Sequence, residues 1–167
     1  MKRYFMNIIS KTAQISALCD LEISSVGSII QIGENSIVDS FVKMKFSGGI
    51  GDIIIGDDCK INSGTVLYSG HGIRIGNSVL IAANCTFSAT NHEFISKHKT
   101  ITEQRFKPSR GGIIIEDDVW IGANCIVLDG AIIRKGSVIG AGSIVRGEIA
   151  SYTINVGNPL VKIGERL

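Results

Sequence analysis

The sequence predicts an all-β chain wound as a parallel β-helix, and three observations carry that expectation. From Ile115 onward aliphatic residues recur at every sixth position, at Ile115, Ile121, Val127, Ile133, Ile139 and Val145, the period of a hexapeptide solenoid. The fifth place of each block is small or β-branched, at Val119, Cys125, Ala131, Ser137, Ser143 and Ile149, because a side chain there must fit inside a narrow triangular tube. Gly is abundant at 20 residues and Pro scarce at 2, which suits repeated tight corners with positive φ rather than a linker or a disordered tract.

The same frame can be followed from the N-terminus. It is faint at Ile15 and Leu21 and again at Ile32 and Val38, so repeats should begin within the first twenty residues. It is clear at Ile55, Ile61 and Leu67, slips by two residues around His71 and Gly72, and resumes at Ile75, Ile81 and Phe87. A slip of two reads as a corner bulge. Three hexads should make one coil, each coil adding three short strands at about 4.8 Å spacing, so that the ladder satisfies the backbone while the aliphatic rail fills the interior. The meter stops between Ser88 and Gly112 and restarts with Ile113 to Ile115. A long loop inside a compact chain is usually functional or disordered; this one is polar and rather basic, and reads either as a solvated loop or as a lid that builds a site against a neighbouring subunit.

With 167 residues, the chain suits one domain, 1–167, with a full core. The net charge of +2 and the lack of a Lys/Arg stripe interleaved with aromatics give nucleic acid little support. The opening MKRYFMNIISKT has no sustained apolar stretch or small-residue cleavage site, and no segment approaches the ~18 apolar residues of a membrane span. A cytoplasmic protein is the expectation. Each of the four cysteines, Cys19, Cys59, Cys85 and Cys125, takes the fifth place of a hexad. They read as reduced core residues, without CxxC spacing and without access to substrate.

A coil alone is a featureless prism, so chemistry belongs where the repeat breaks. His71 lies in the two-residue slip and reads as a polar corner residue; His98, between Lys97 and Lys99, reads as solvated. His92 follows directly on the strand exit Phe87, Ser88, Ala89, Thr90, Asn91, at the rim of rigid structure, where it is either a catalytic imidazole or a satisfied hydrogen-bonding one. Asn62, after the rail residue Ile61, faces outward at a corner, available to a ligand or to backbone capping. Trp120, the single tryptophan, offers an outward apolar platform for a ligand or a subunit.

The stretches IGDDCKINSGTVLYS, IRIGNSVLIAANCTFSATNHEF and GGIIIEDDVWIGANCIVLDGAIIRKGSVIGAGSIVRGEIASYTINVGNP, with the terminal VKI, resemble the hexapeptide-repeat acyltransferases, nearest the galactoside, maltose and polysaccharide O-acetyltransferases. The ordered set NH, VWIGAN, GAGSIV and GNP is far more specific than hexads alone. The resemblance implies a left-handed parallel β-helix, a homotrimer with active sites between subunits, and acetyl-CoA as co-substrate without a metal. It implies His92 as the catalytic base, Asn62 and Trp120 at the substrate, and Ala123 and Ala141 along the pantetheine arm. Arg146 and Gly147 match a position where the family commonly carries a Thr-Lys pair, so the cation is displaced by one residue; Arg146 is expected at the coenzyme phosphates, helped by Lys162.

On this reading the chain transfers an acetyl group directly to a sugar hydroxyl, in a ternary complex with a histidine base. The early start of the repeats leaves no room for the N-terminal helical segment of the galactoside and maltose enzymes, which favours a cell-surface polysaccharide or its precursor as acceptor. An N-acyltransferase on an amino-sugar nucleotide is the nearest alternative. More distant ones are a γ-type carbonic anhydrase with zinc between subunits and a non-catalytic solenoid scaffold.

Overall fold

The computed structural model describes residues 6–167; the first five residues of the opening stretch read above for a leader lie outside them. Three parallel sheets form the faces of a prism. The first face stacks Ile8–Ile9, Ile30–Ile32, Ile53–Ile55, Ile73–Ile75, Ile113–Ile115, Ile132–Ile133 and Glu148–Ile149. The second runs from Gln14–Ile15 to Thr153–Val156 and ends on the antiparallel strand Val161–Glu165. The third stacks Asp20–Leu21, Lys43–Lys45, Val66–Tyr68, Thr86–Ser88, Ile126–Leu128 and Ile144–Val145. The chain is thus a parallel β-helix, and its class is the left-handed one expected.

The rail is the core. Ile55, Ile61, Leu67, Ile75, Ile81, Phe87, Ile115, Ile121, Val127, Ile133, Ile139 and Val145 are all buried, Phe87 being the largest. Each such side chain contributes roughly 1.5–3 kcal/mol of transfer free energy. The fifth places are buried too, and polar ones are tolerated because each finds a corner carbonyl. Ser137 Oγ donates to Arg134 O at 2.6 Å, Ser143 Oγ to Gly140 O at 2.6 Å, and Cys59 Sγ to Gly76 O at 3.0 Å. Cys59, Cys85 and Cys125 are buried, Cys19 is partly so, and all four are free thiols. Burial pushes the Cys19 and Cys59 thiols up, away from nucleophilic use.

The fourth residue of a corner takes a left-handed conformation at Asn35, Asp58, Ser78, Asp118 and Gly136 on one edge, and at Gly64, Asn84, Asn124 and Gly142 on the next. Asn, Asp and Gly are the residues that reach that region at least cost.

Two expectations need correction. Coils are not uniformly three hexads: Ile9, Ile32, Ile55, Ile75, Ile115 and Ile133 stand in register. Extra residues between the third and first faces, around 24–29, 47–52 and 69–72, lengthen the early coils. These corners bury Ser24, Ser28 and Ser69 but leave the rail residues in register, so the rail survives them. Ile149 is not a fifth-place residue. It pairs with Ile133 on the first face, because the corner after Val145 is shortened, which brings Thr153 and Asn155 into the last buried places. Asn155 Nδ2 donates to Thr153 Oγ1 at 2.8 Å, so the prism ends on a satisfied polar pair.

Candidate active site

The excursion leaves the third face after Ser88 and rejoins the first face at Ile113. Its base is a short antiparallel pairing. His92 bridges Phe106, flanked by Lys107 N–H donating to Asn91 O at 2.8 Å and Glu93 N–H donating to Arg105 O at 3.0 Å. Beyond it lies one helical turn, Ile101–Gln104, closed by a capping box between Thr100 and Glu103.

The imidazole is exposed but fixed. Its ring lies on Phe106 with centroids 4.7 Å apart and planes tilted by 30°, within the range of favourable aromatic pairs. Its Nδ1 is 3.1 Å from Arg105 O. A carbonyl can only accept, so Nδ1 carries the proton and Nε2 presents a lone pair. Arg105 turns that carbonyl inward by adopting φ 60° and ψ −139°, a conformation costing on the order of 1–3 kcal/mol in a non-glycine residue. Phe106 and Thr90 rest on Gly48, in the long corner two coils earlier, where a Cβ would overlap Thr90 Oγ1 and crowd the Phe106 ring. Gly48 is therefore part of the seat.

The remaining expected site residues divide between two edges of the third face and the second face. Asn62, Ala123 and Ala141 line the edge that precedes the third face. Asn62 Nδ2 donates to Ile81 O at 2.9 Å, which leaves its Oδ1 for a ligand. Among the described residues the N–H groups of Ala123 and Ala141 have no partner within the chain. The small methyl side chains leave that column of donors open, so this edge fits an extended amide-bearing arm. His92, Arg146 and Gly147 lie at the opposite edge of the same face. Trp120, 51% exposed, lies on the second face beside Leu80 and Val138, and Lys162 lies on the terminal strand of that face, ion-paired with Glu165. One chain therefore does not gather His92, Asn62 and Trp120 around a point.

Sequence reasoning missed the residues that hold the imidazole, Arg105 through its carbonyl, Phe106 through its ring and Gly48 beneath. A bridge inside an irregular segment has no period, and only Phe106, an apolar residue amid charges, hinted at it. A cavity of about 390 Å³ was also missed; Ser88, Thr90, Asn91, Lys107, Arg110 and Arg146 are among the residues that line it.

Similarity to known proteins lies in the repeats and the fold they build. Residues 112–147 match the family described as bacterial transferase hexapeptide (six repeats), and residues 47–69 and 53–89 match the hexapeptide repeat of succinyl-transferase. The Escherichia coli K12 protein WbbJ, named as a lipopolysaccharide biosynthesis O-acetyl transferase, is 31% identical over 136 residues, 78% of this chain and 68% of that protein. Galactoside O-acetyltransferase of the same strain is 33% identical over 80% of this chain, which spans only 63% of its length. Among solved structures, a variant of the Bacillus cereus N-acyltransferase AntD, in complex with dTDP-4-amino-4,6-dideoxyglucose and coenzyme A, superposes with a TM-score of 0.78 at 26% identity, covering 96% of this chain and 84% of that one. A Vibrio cholerae hexapeptide-repeat acetyltransferase complexed with acetyl coenzyme A gives 0.69 at 32% identity, covering 80% and 69%. The hexad rail, the matched repeats and these relatives together make the chain a member of the hexapeptide-repeat acyltransferase family.

Proposed function

We propose that the protein transfers an acetyl group from acetyl-CoA to a hydroxyl of a sugar, in a cell-surface polysaccharide or its precursor, with His92 as general base. The observation that carries this reading is the imidazole itself, locked by Arg105 O into the tautomer whose Nε2 is exposed and able to accept a proton. His92 takes the proton of the attacking hydroxyl at Nε2 and returns it to the departing thiolate, a role typically worth 10²- to 10⁴-fold. Asn62 Oδ1 orients the acceptor, and Trp120 supplies an apolar wall. The open N–H groups of Ala123 and Ala141 hold the pantetheine amides, with Arg146, Gly147 and Lys162 toward the nucleotide end. No metal is required.

Because His92 and Asn62 stand at opposite edges of one face, a site that uses both must be closed by a second copy, which is the reason we favour a trimer with intersubunit sites. Four free thiols suit a reducing compartment, and no helix among the described residues is long and apolar enough to cross a membrane; we assign the work to the cytoplasm. N-acylation of an amino-sugar nucleotide is a second reading, favoured by the likeness to AntD, since the same base and donors serve an amine.

The test is a screen of glycan precursors, nucleotide sugars and free sugars with acetyl-CoA, run beside His92→Ala. The variant should keep its fold and its coenzyme affinity while turnover falls at least about 10²-fold. Wild-type turnover in the variant removes the histidine from the mechanism. Full activity on free maltose or a simple galactoside, with none on precursors, overturns the acceptor class.

A further inference from the structure

The corner between the second and third faces recurs once per coil, and its left-handed position is held by Gly64, Asn84, Asn124 and Gly142 in the later coils. In the second coil the same position is Phe41, at φ 64°. A bulky side chain on such a backbone is a steric outlier. Burial does not offset the strain, because Phe41 is 61% exposed. Leu18 stands beside it in the first coil, also exposed, and its carbonyl accepts the Phe41 N–H at 3.3 Å. The rest of the corner is fixed. The Ser16 and Ser40 hydroxyls share a hydrogen bond of 2.9 Å, and Asp39 Oδ1 accepts the Ser40 N–H at 2.7 Å. Among the described residues Asp39 belongs to no ion pair, which leaves its second oxygen for a ligand. Strain kept without burial points to a site rather than to packing. A carboxylate beside an exposed aromatic ring suits a sugar, whose C–H face lies on the ring while a hydroxyl donates to the carboxylate.

We propose that Phe41 and Asp39 select the acceptor, Phe41 by stacking on the C–H face of its pyranose ring and Asp39 Oδ2 by accepting from a ring hydroxyl. The inference rests on the acetyl-transfer reading above and adds specificity-determining residues to it. Position along the edge assigns the ligand. Asp39 N–H donates to Ile61 O at 2.9 Å, so this corner stands one coil, about 4.8 Å, before that of Asn62, on the side away from Ala123 and Ala141. The open N–H groups of those two residues lead the coenzyme toward the C-terminus, and the acceptor held at Asn62 extends the other way, onto Phe41. Charge agrees with position. The Asp39 carboxylate repels the phosphates of the coenzyme and tolerates a neutral ring. Hydroxyl and amine acceptors both satisfy this arrangement.

The test is saturation-transfer NMR with the methyl pyranosides of glucose, galactose, mannose and N-acetylglucosamine, each added to protein saturated with coenzyme A. At least one should bind the wild-type protein, with saturation strongest at the C–H protons of one ring face. Phe41→Asn suits the left-handed backbone as Asn84 and Asn124 do, so its melting temperature should not fall. It should cut the saturation about fivefold or more while coenzyme affinity, read by calorimetry, stays within about twofold. Phe41→Trp should keep the saturation, and Asp39→Asn, which keeps an acceptor for the Ser40 N–H, should lower it about twofold or more. Four results overturn the subsite: no pyranoside bound by the wild-type protein, saturation unchanged in Phe41→Asn, pyranoside displaced by coenzyme A, or an oligomer that dissociates in Phe41→Asn, which would make the ring a subunit contact. Failure of coenzyme A to bind the wild-type protein would remove the acetyl-transfer reading as well, and so is told apart from failure of the subsite alone.

Discussion

The prism and the excursion are built on opposite terms. In the prism every coil from Ile32 to Val145 buries a rail residue on each face, and the ladder above and below satisfies the backbone. Between Thr90 and Gly111 no residue is buried, and Phe94, Ile95, Ile101 and Phe106 stand exposed. What holds the excursion is polar: the pairing around His92, the Thr100 and Glu103 box, Gln104 reaching back to Ser96, and Asp129 clasping Ser109, Arg110 and Gly112. Rigidity in the excursion comes from the prism. The imidazole sits one bridge from the prism, so it inherits the prism's precision without lying inside its core.

Stability should therefore divide sharply between the two regions. Phe87→Ala, in the rail, should cost about 3–5 kcal/mol in denaturant unfolding, whereas Ile95→Ala in the excursion should stay within about 0.5 kcal/mol. Comparable losses would mean that the excursion shares the core. Activity should divide the other way. Gly48→Ala strains a backbone at φ 79° and pushes Thr90 and Phe106 from their seat; turnover should fall about tenfold or more, beyond what a stability loss of about 1–2 kcal/mol takes from the folded population. Arg105→Val cannot hold the left-handed backbone; its turnover should fall several-fold with coenzyme affinity kept, while Arg105→Gly keeps turnover. Equal effects of the two would assign the role to the guanidinium instead of the carbonyl.

The smallest effect is one of pH. Hydrogen bonds from the Phe94 and Ile95 N–H groups hold the Glu93 carboxyl below the usual range, and those from the Thr100 hydroxyl and N–H do the same for Glu103. A depressed carboxyl stabilises the folded form above its unfolded pKa, about 4.3 for Glu, and that contribution is lost as pH falls through the folded value. Protection of the Phe94, Ile95 and Thr100 amides, taken relative to the intrinsic exchange rate at each pH, should therefore be lost on acidification before protection of the rail strands is. Glu103 is exposed and Glu93 half-buried, and the bonds that hold both carboxyls come from the excursion itself, so the shift is local. Simultaneous loosening of rail and excursion would contradict the division.

Much of this was legible in the residues. Periodicity reports inward-facing positions, so the rail, the fifth places and the buried cysteines could be read directly, and the broken meter marked the excursion at both ends. The long early corners could not be read, because their lengths vary and the residues they bury, Ser24, Ser28 and Ser69, are small and polar rather than aliphatic. Ile149 misled because a shortened corner keeps an aliphatic residue buried while changing its face. His92 was legible through its position after the strand exit, but its partners Arg105 and Phe106 were not, since a single bridge and a strained backbone leave no pattern. The cavity joins residues from three separate segments of the chain, and only the folded arrangement brings Lys107, Arg110 and Arg146 together.

The most direct measurement is a crystal structure of the protein with coenzyme A and an acceptor bound. The expected result has His92 Nδ1 still on Arg105 O and Nε2 about 2.6–3.2 Å from the acceptor oxygen or nitrogen, with the thiol of the coenzyme beside it. An imidazole turned into bulk solvent, remote from both ligands, would contradict the role of His92 at its root.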